Sequence, residues 1–146
     1  MKKILSIVVF ATAALFALQS CDDDDKLVSY DDLPSVAKEF VANNFPTETI
    51  TSTLKDYDTF GYTYQVTLSD GTAIEFDKDG DCIEIENRVS GVSTSVLPAK
   101  ILDYITANYA NSFVVDIEKD RGYDVELNTG LDLDFDSDGN FERIDA

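Results

Sequence analysis

The chain contains no histidine and no tryptophan, and only two of its 146 residues are cysteine. Without histidine, neither a Ser-His nor a Cys-His catalytic pair can form. A zinc site built from Cys and His ligands is excluded on the same ground. The sequence also has no glycine-rich phosphate loop. Carboxylates alone could hydrolyse glycosides, but a chain this small and without tryptophan is a poor candidate for a sugar-stacking cleft. We therefore predict that the protein is not an enzyme.

Basic residues are also scarce, with 11 Lys and Arg against 29 Asp and Glu and a net charge of −18. Nucleic acids and bare anionic membranes are recognised through basic patches, so neither is expected as a partner. A strongly acidic protein is soluble and attracts cations or basic proteins. The predicted partner is therefore a protein or peptide of unknown identity, with a basic one favoured.

The N-terminus combines a short basic start, Met1–Lys3, with an apolar run from Ile4 to Ala17. A membrane-spanning helix needs about 20 apolar residues, whereas a shorter run behind basic residues is typical of a secretory signal peptide. The next residues, 18–21, read Leu-Gln-Ser-Cys and resemble the lipobox of bacterial lipoproteins. That resemblance implies cleavage after residues 1–20 and a lipid on Cys21. We expect an exported protein anchored to the outer membrane by this lipid.

Four aspartates follow the proposed anchor, and we interpret residues 21–30 as an acidic tether. A block of like charges stays solvated and extended. The same block resembles the surface-export signal of Bacteroidetes lipoproteins, which implies exposure at the cell surface. Both readings require the same solvated chain, so the sequence leaves them open.

With Cys21 used for the lipid, Cys82 has no disulfide partner in the chain. The stability of the domain must then come from packing, although the export route permits disulfides. We predict that Cys82 is a small strand residue, since no histidine is present to activate it as a nucleophile.

An internal repeat organises the rest of the chain. Leu33-Pro34 recurs 64 positions later as Leu97-Pro98, and the alternating pattern of Tyr64 to Leu68 recurs 59 positions later. The change in spacing falls between a helix and a strand, where a loop can absorb it. The boundaries predicted from this repeat are residues 31–86 for the first unit, 87–95 for a polar joint, and 96–146 for the second unit.

Each unit has the pattern of a helix followed by strands. Apolar residues at helical spacing follow each Leu-Pro, with Asp31 or Asp32 as the expected cap of the first helix and Ser95 as that of the second. Alternating apolar and polar residues then predict strands joined by Asp-Gly turns. The predicted fold class is α+β, with two tandem repeats of a helix and three to four antiparallel strands. A unit of this size buries little core alone, so the halves should pack together or share one sheet.

A helix that opens with Leu-Pro and strands joined by an Asp-x-Asp-Gly turn, both present twice behind a lipoprotein signal, resemble the PepSY-like, beta-lactamase-inhibitor-like family of Bacteroidetes. The resemblance covers residues 30–146. It implies a fold of tandem helix–sheet units and an exported, protein-binding or inhibitory role.

Calcium is the one cofactor that the sequence raises. Two acidic turns place oxygen atoms at alternate positions around a glycine, as at the start of a Ca²⁺ loop. However, Gly80 is fourth in its loop rather than sixth, and Arg88 stands where an EF-hand has its glutamate. Hairpin-turn chemistry explains both copies without an ion, so we expect no cofactor and keep the metal reading as the alternative. The weak candidate ligands are Asp77, Asp79, Asp81, Asp136 and Asp138.

The candidate binding surface is an acidic sheet face. Asp124, Glu126, Asp132 and Asp134 alternate with apolar residues on two adjacent predicted strands. Like charges that face each other across strands are destabilising. Either solvent and salt screen this repulsion, or the face docks a basic protein segment or cations.

Overall fold

The computed structural model describes residues 25–145, which form two helices and nine strands. The predicted signal peptide, Cys21 and most of the acidic run lie outside these residues. Helix α1 spans Ser35–Asn44 and helix α2 spans Ala99–Asn108. No helix in the described part of the chain is long and apolar enough to cross a membrane. The strands are β1 Lys26–Leu27, β2 Ile50–Asp58, β3 Gly61–Leu68, β4 Ala73–Phe76, β5 Cys82–Glu86, β6 Val114–Lys119, β7 Tyr123–Leu127, β8 Asp132–Phe135 and β9 Phe141–Asp145.

All nine strands belong to one antiparallel sheet, and their order in the sheet is their order in the chain. Helix α1 precedes β2 to β5, and helix α2 precedes β6 to β9. Strands β5 and β6 pair directly, with Ile85 opposite Ile117, and so join the two parts of the chain. Of the two arrangements that the sequence left open, the structure has the continuous sheet. The fold is α+β.

One face of this sheet carries a single apolar core. Its cluster includes buried residues of both helices, among them Ala37 and Ile101, each 0% exposed. The two helices make matching aromatic contacts, since Phe40 meets the edge of Phe76 and Tyr104 meets the edge of Phe135. These ring centroids lie 5.7 and 5.5 Å apart. Strand alternation thus places the apolar residues against the helices and the polar residues on the opposite face.

The Asp-x-Asp-Gly turns pack beneath the starts of the helices. Gly80 has a φ of +95°, and a Cβ there would lie 2.8 Å from the Cβ of Pro34. In the second turn, a Cβ on Gly139 would lie 3.3 Å from the Cβ of Lys100. In both copies the glycine of the turn therefore packs against the first turn of the helix, through Pro34 to Ala37 in one and Lys100 and Ile101 in the other.

Two details differ from the sequence predictions. The expected caps Asp31, Asp32 and Ser95 do not cap the α-helices, because short 3-10 turns capped by Ser29 and Ser93 come first. Pro34 and Pro98 occupy the cap positions of α1 and α2 without a side-chain hydrogen bond. Residues 21–30, predicted as a solvated tether, already contain strand β1 and the start of the first 3-10 turn.

Candidate functional site

The sheet face opposite the helices carries two rows of acidic side chains. In the first row, Glu75 lies opposite Glu84, and Glu84 lies opposite Glu118. The row continues with Asp124 beside Glu118 and Asp134 beside Asp124. Every step pairs like charges, which is unfavourable unless the carboxyls are protonated or neutralised.

The second row runs parallel to the first, from Glu86 to Asp116, Glu126, Asp132 and Asp145. We call the surface formed by both rows the carboxylate face. Its members are Glu75, Glu84, Glu86, Asp116, Glu118, Asp124, Glu126, Asp132, Asp134 and Asp145.

Two arginines reach this face. The Arg88 guanidinium donates to both oxygens of Glu126 at 2.9 Å, contacts Glu86, and lies 3.7 Å from Asp116. Bidentate contacts of this kind fix both side chains. Arg143 forms an ion pair with Asp134, which is only 8% exposed. The arginines thus neutralise part of the acidic charge.

The four predicted binding residues all lie on the carboxylate face, but in different environments. Asp124 and Asp132 are exposed, as expected. Glu126 is half-buried beneath Arg88, and Asp134 is buried beside Arg143. A partner would therefore meet Asp124 and Asp132 directly and the other two only through their arginines.

The centre of the face resists ionisation. Burial, followed by the negative charge of Asp116 and Glu75, raises the pKa of Glu84 to about 8. Burial also raises the pKa of Asp116 to about 7, with Glu86 adding to the effect and Arg88 opposing it. The pKa of Glu118 is raised by burial and by Asp124. Loss of solvent and like-charge repulsion both favour the neutral carboxyl. A positive charge placed nearby would therefore favour the ionised form and lower the pKa values of these groups.

Three of these carboxylates come close enough to hold one cation. Oxygen atoms of Glu84, Glu86 and Asp116 lie within 4.8 Å of one another. Within residues 25–145, Oδ1 of Asp116 is buried and has no hydrogen-bond partner. The sequence does not predict this group, because β5 and β6 are separated by the predicted joint, helix α2 and a further loop. The available signal was the alternation of Glu84 and Glu86 with Ile85, and of Asp116 with Ile117.

The two acidic turns use their first aspartate as a backbone acceptor. One oxygen of Asp77 accepts from the amides of Asp79 and Asp81 at 2.9 Å. Asp136 does the same for Asp138 and Asn140, and its pKa is lowered, first by a hydrogen bond from the Asn140 side chain and then by these backbone amides. This is the hairpin-turn geometry that the sequence favoured at both copies.

Cys82 lies on β5 at the edge of a small apolar cavity of about 160 Å³ on the helix side of the sheet. Burial raises the pKa of its thiol to about 12. A nucleophilic cysteine must ionise near neutral pH, so Cys82 fits its predicted role as a small strand residue.

Three solved structures share this fold along nearly the whole of their own chains. A "putative calcium-regulated periplasmic protein" from Bacteroides thetaiotaomicron is 31% identical with a TM-score of 0.80, covering 85% of this chain and 98% of that one. A "putative periplasmic protein of unknown function" from Bacteroides vulgatus is 31% identical with a TM-score of 0.77, covering 84% and 99%. Another Bacteroides vulgatus periplasmic protein is 33% identical with a TM-score of 0.76, covering 85% and 98%. These descriptions support the predicted export.

None of the curated protein sequences matches this chain. The family model described as "Putative beta-lactamase-inhibitor-like, PepSY-like" matches residues 62–143, which is more than half of the chain. The match begins within β3 and ends within β9, so it includes β4, β5, helix α2 and strands β6 to β8 in full. The resemblance seen in the sequence is confirmed, and the chain belongs to the PepSY-like, beta-lactamase-inhibitor-like family.

Proposed function

We propose that this protein is a lipid-anchored, non-enzymatic binding module whose carboxylate face takes up a basic segment of another protein. The observation that carries the proposal is the pair of like-charged rows, in which each acid has another acid opposite it on a neighbouring strand. The raised pKa values of Glu84 and Asp116 indicate that ionising these carboxyls costs free energy. Lysine or arginine side chains from a partner would remove that cost.

The inhibitor-like description of the family suggests a protein as the partner. The sheet aromatics Tyr64, Phe76 and Phe135 are buried in the core, so contacts on the carboxylate face would be mainly ionic. Ionic contacts give fast association that weakens as salt rises.

Binding can be tested by calorimetry with lysine- and arginine-rich peptides and the mature domain. Replacing Asp124→Asn together with Asp132→Asn should weaken binding by about tenfold, or roughly 1.4 kcal/mol. The matched control removes two exposed acids on the helices, Glu39→Gln with Asp103→Asn, and should leave affinity unchanged. Equal effects of both pairs would show that only net charge matters and would refute a specific face.

The second candidate function is divalent-cation binding at Glu84, Glu86 and Asp116. It is favoured by the close approach of these oxygens and by the buried, unpaired Oδ1 of Asp116. Carboxylate oxygens are the ligands that Ca²⁺ prefers. One relative's name also describes a calcium-regulated protein.

Titration with CaCl₂ separates the two candidate ion sites. Glu84→Gln with Asp116→Asn should abolish the heat of binding if the ion lies on the sheet. Asp77→Asn with Asp136→Asn should abolish it instead if the turns hold the ion, with Asp79, Asp81 and Asp138 as further ligands. No heat and no thermal shift at millimolar Ca²⁺ would eliminate this candidate.

Lipid attachment at Cys21, the outer-membrane location and surface exposure complete the proposal. The lipobox-like residues 18–21 and the acidic run after them support these assignments. Labelling cells with a radioactive fatty acid should mark the protein, and Cys21→Ser should abolish the label. Protease treatment of intact cells then tests surface exposure.

We also propose that residues 31–86 and 96–146 are two copies of one ancestral unit. The same element order and the matched Phe40–Phe76 and Tyr104–Phe135 contacts support this reading. The four strands that follow each helix also support it.

A further inference from the structure

The hairpin formed by β2 and β3 is longer than its counterpart in the second part of the chain. Strands β2 and β3 have 9 and 8 residues, whereas β6 and β7 have 6 and 5. Lys55 pairs with Tyr64 as Lys119 pairs with Tyr123. The first hairpin therefore projects three residue pairs farther, or about 10 Å at 3.3 Å per residue.

This extra length, residues 56–63, includes Asp56 and ends in the turn Asp58-Thr59-Phe60-Gly61, in which Phe60 is the large apolar side chain. Phe60 is 98% exposed, and its backbone amide donates to Oδ1 of Asp58 at 2.7 Å. The counterpart turn holds the polar pair Asp120 and Arg121. A single exposed apolar residue needs no explanation by itself. Here, however, Phe60 stands at the end of the longer of two similar hairpins.

Aromatic and basic side chains lie behind the tip. Tyr57 and Tyr62 pack against each other with ring centroids 5.8 Å apart. The Lys55 ammonium lies 3.6 Å from the centroid of Tyr62 and 5.1 Å from that of Tyr57. Tyrosine and lysine behind a phenylalanine are the side chains that proteins place at the boundary between lipid and water.

The tip also points to the end of the molecule from which the lipid anchor must leave. Strand β1 is antiparallel to β2, with Lys26 opposite Lys55 and Leu27 opposite Leu54. The chain therefore enters β1 from the tip side. Cys21, which lies outside the described residues, is five residues before Lys26, just as Phe60 is five residues after Lys55. Five residues span at most about 18 Å, so the proposed lipid on Cys21 would bring the bilayer surface within that distance of this corner.

We propose that the β2–β3 hairpin tip is a membrane contact, with Phe60 inserted into the zwitterionic lipid interface beside the Cys21 anchor. The inference rests on the proposed lipid anchor and goes beyond it. One flexible lipid link leaves a domain free to tumble, whereas a second contact fixes its orientation. In this orientation, the β2–β3 hairpin tip, which projects beyond the β6–β7 turn at the same edge of the sheet, lies nearest the lipid.

The absence of tryptophan from the natural chain makes a direct test practical. The mature chain, residues 21–146 with Cys82→Ala, is coupled through Cys21 to a maleimide lipid in phosphatidylcholine vesicles. Phe60→Trp supplies a single fluorescent reporter at the tip. Val89→Trp supplies the matched control, because Val89 is 84% exposed and follows the end of β5 that points away from the tip.

The tethered Phe60→Trp protein should emit at shorter wavelength than the free protein and should be quenched by brominated lipids. The tethered Val89→Trp protein should behave like its free form. Equal emission and quenching of the two reporters would overturn the inference, including the case in which the tip serves a protein partner instead. The chemical link makes this test independent of lipidation in cells, so failure of the fatty-acid labelling is a separate result.

Discussion

At Glu84, the free-energy cost of ionising the carboxylate face can be measured through the pH dependence of folding stability. Its pKa is raised to about 8, from an ordinary value near 4.5, so the folded protein holds a proton there that the unfolded chain releases. Folding stability must then fall as pH rises through this interval, because the native state binds more protons than the unfolded one. Asp116, with a pKa raised to about 7, acts in the same direction.

We predict that the free energy of unfolding is lower at pH 8.5 than at pH 6 at constant salt. Glu84→Gln should flatten this dependence and stabilise the protein at pH 8.5, since it removes the charge that burial penalises. Urea unfolding at several pH values is the measurement, with Glu39→Gln as the control. Stability that rises from pH 6 to pH 8.5 would contradict the account.

A second prediction at the residue scale concerns the turn glycines. Gly80→Ala should destabilise by about 2–4 kcal/mol, because positive φ is strained for alanine and its Cβ would overlap Pro34. Gly71→Ala has the same type of strain, with a φ of +89°, but open space around the new atom. Its cost should be nearer about 1 kcal/mol. Equal losses in chemical denaturation would show that contact with the helix adds nothing.

At the scale of elements, the strands followed from the sequence and the helix starts did not. The alternation of Tyr64, Val66 and Leu68 with polar residues predicts both β3 and its buried side. Strand β1 shows no such alternation, because it consists of only two residues, Lys26 and Leu27. The predicted helix caps are wrong because a 3-10 turn precedes each Leu-Pro. In a sequence, a residue that caps such a turn cannot be distinguished from one that caps the helix after it.

Only part of the candidate site could be predicted from the sequence, because only some of its strands are joined by short turns. Asp124 and Asp132 lie on strands joined by a tight turn, so their register can be deduced. Glu84 and Glu118 become neighbours through β5–β6 pairing across a helix and two loops. Nothing local encodes that register, and burial of Asp116 depends on it.

The β2–β3 hairpin tip should contribute little to stability, which distinguishes it from the core. Phe60→Ala should change the free energy of unfolding by less than about 0.5 kcal/mol, as for other exposed positions. Phe76→Ala, at a 0% exposed residue on β4, should cost about 3–5 kcal/mol. Thermal unfolding of both variants checks the contrast, and a large loss from Phe60→Ala would argue for a structural role of the tip.

At the scale of the whole molecule, the continuous sheet and single core predict one cooperative unit. The two parts of the chain share the β5–β6 pairing and one apolar cluster. Phe76→Ala should therefore also reduce hydrogen-exchange protection of β7 and β8 in the second part. If those amides kept their full protection, the two parts would be independent units rather than one folding unit.

The same sheet gives the molecule two chemically different faces. The helices and the apolar core occupy one side, and the carboxylate face forms the other. This face is assembled from strands of both parts of the chain, so neither part alone presents the complete rows.

The central claim is that ionising the carboxylate face costs free energy and that a bound cation would reduce this cost. Carbon-detected NMR of the Glu84 and Asp116 carboxyl groups across pH 3–10 tests it most directly. We predict titration near 8 and 7 for the protein alone, with both values falling when a basic peptide or Ca²⁺ is added. Titration of both groups near 4 in the protein alone would contradict the account.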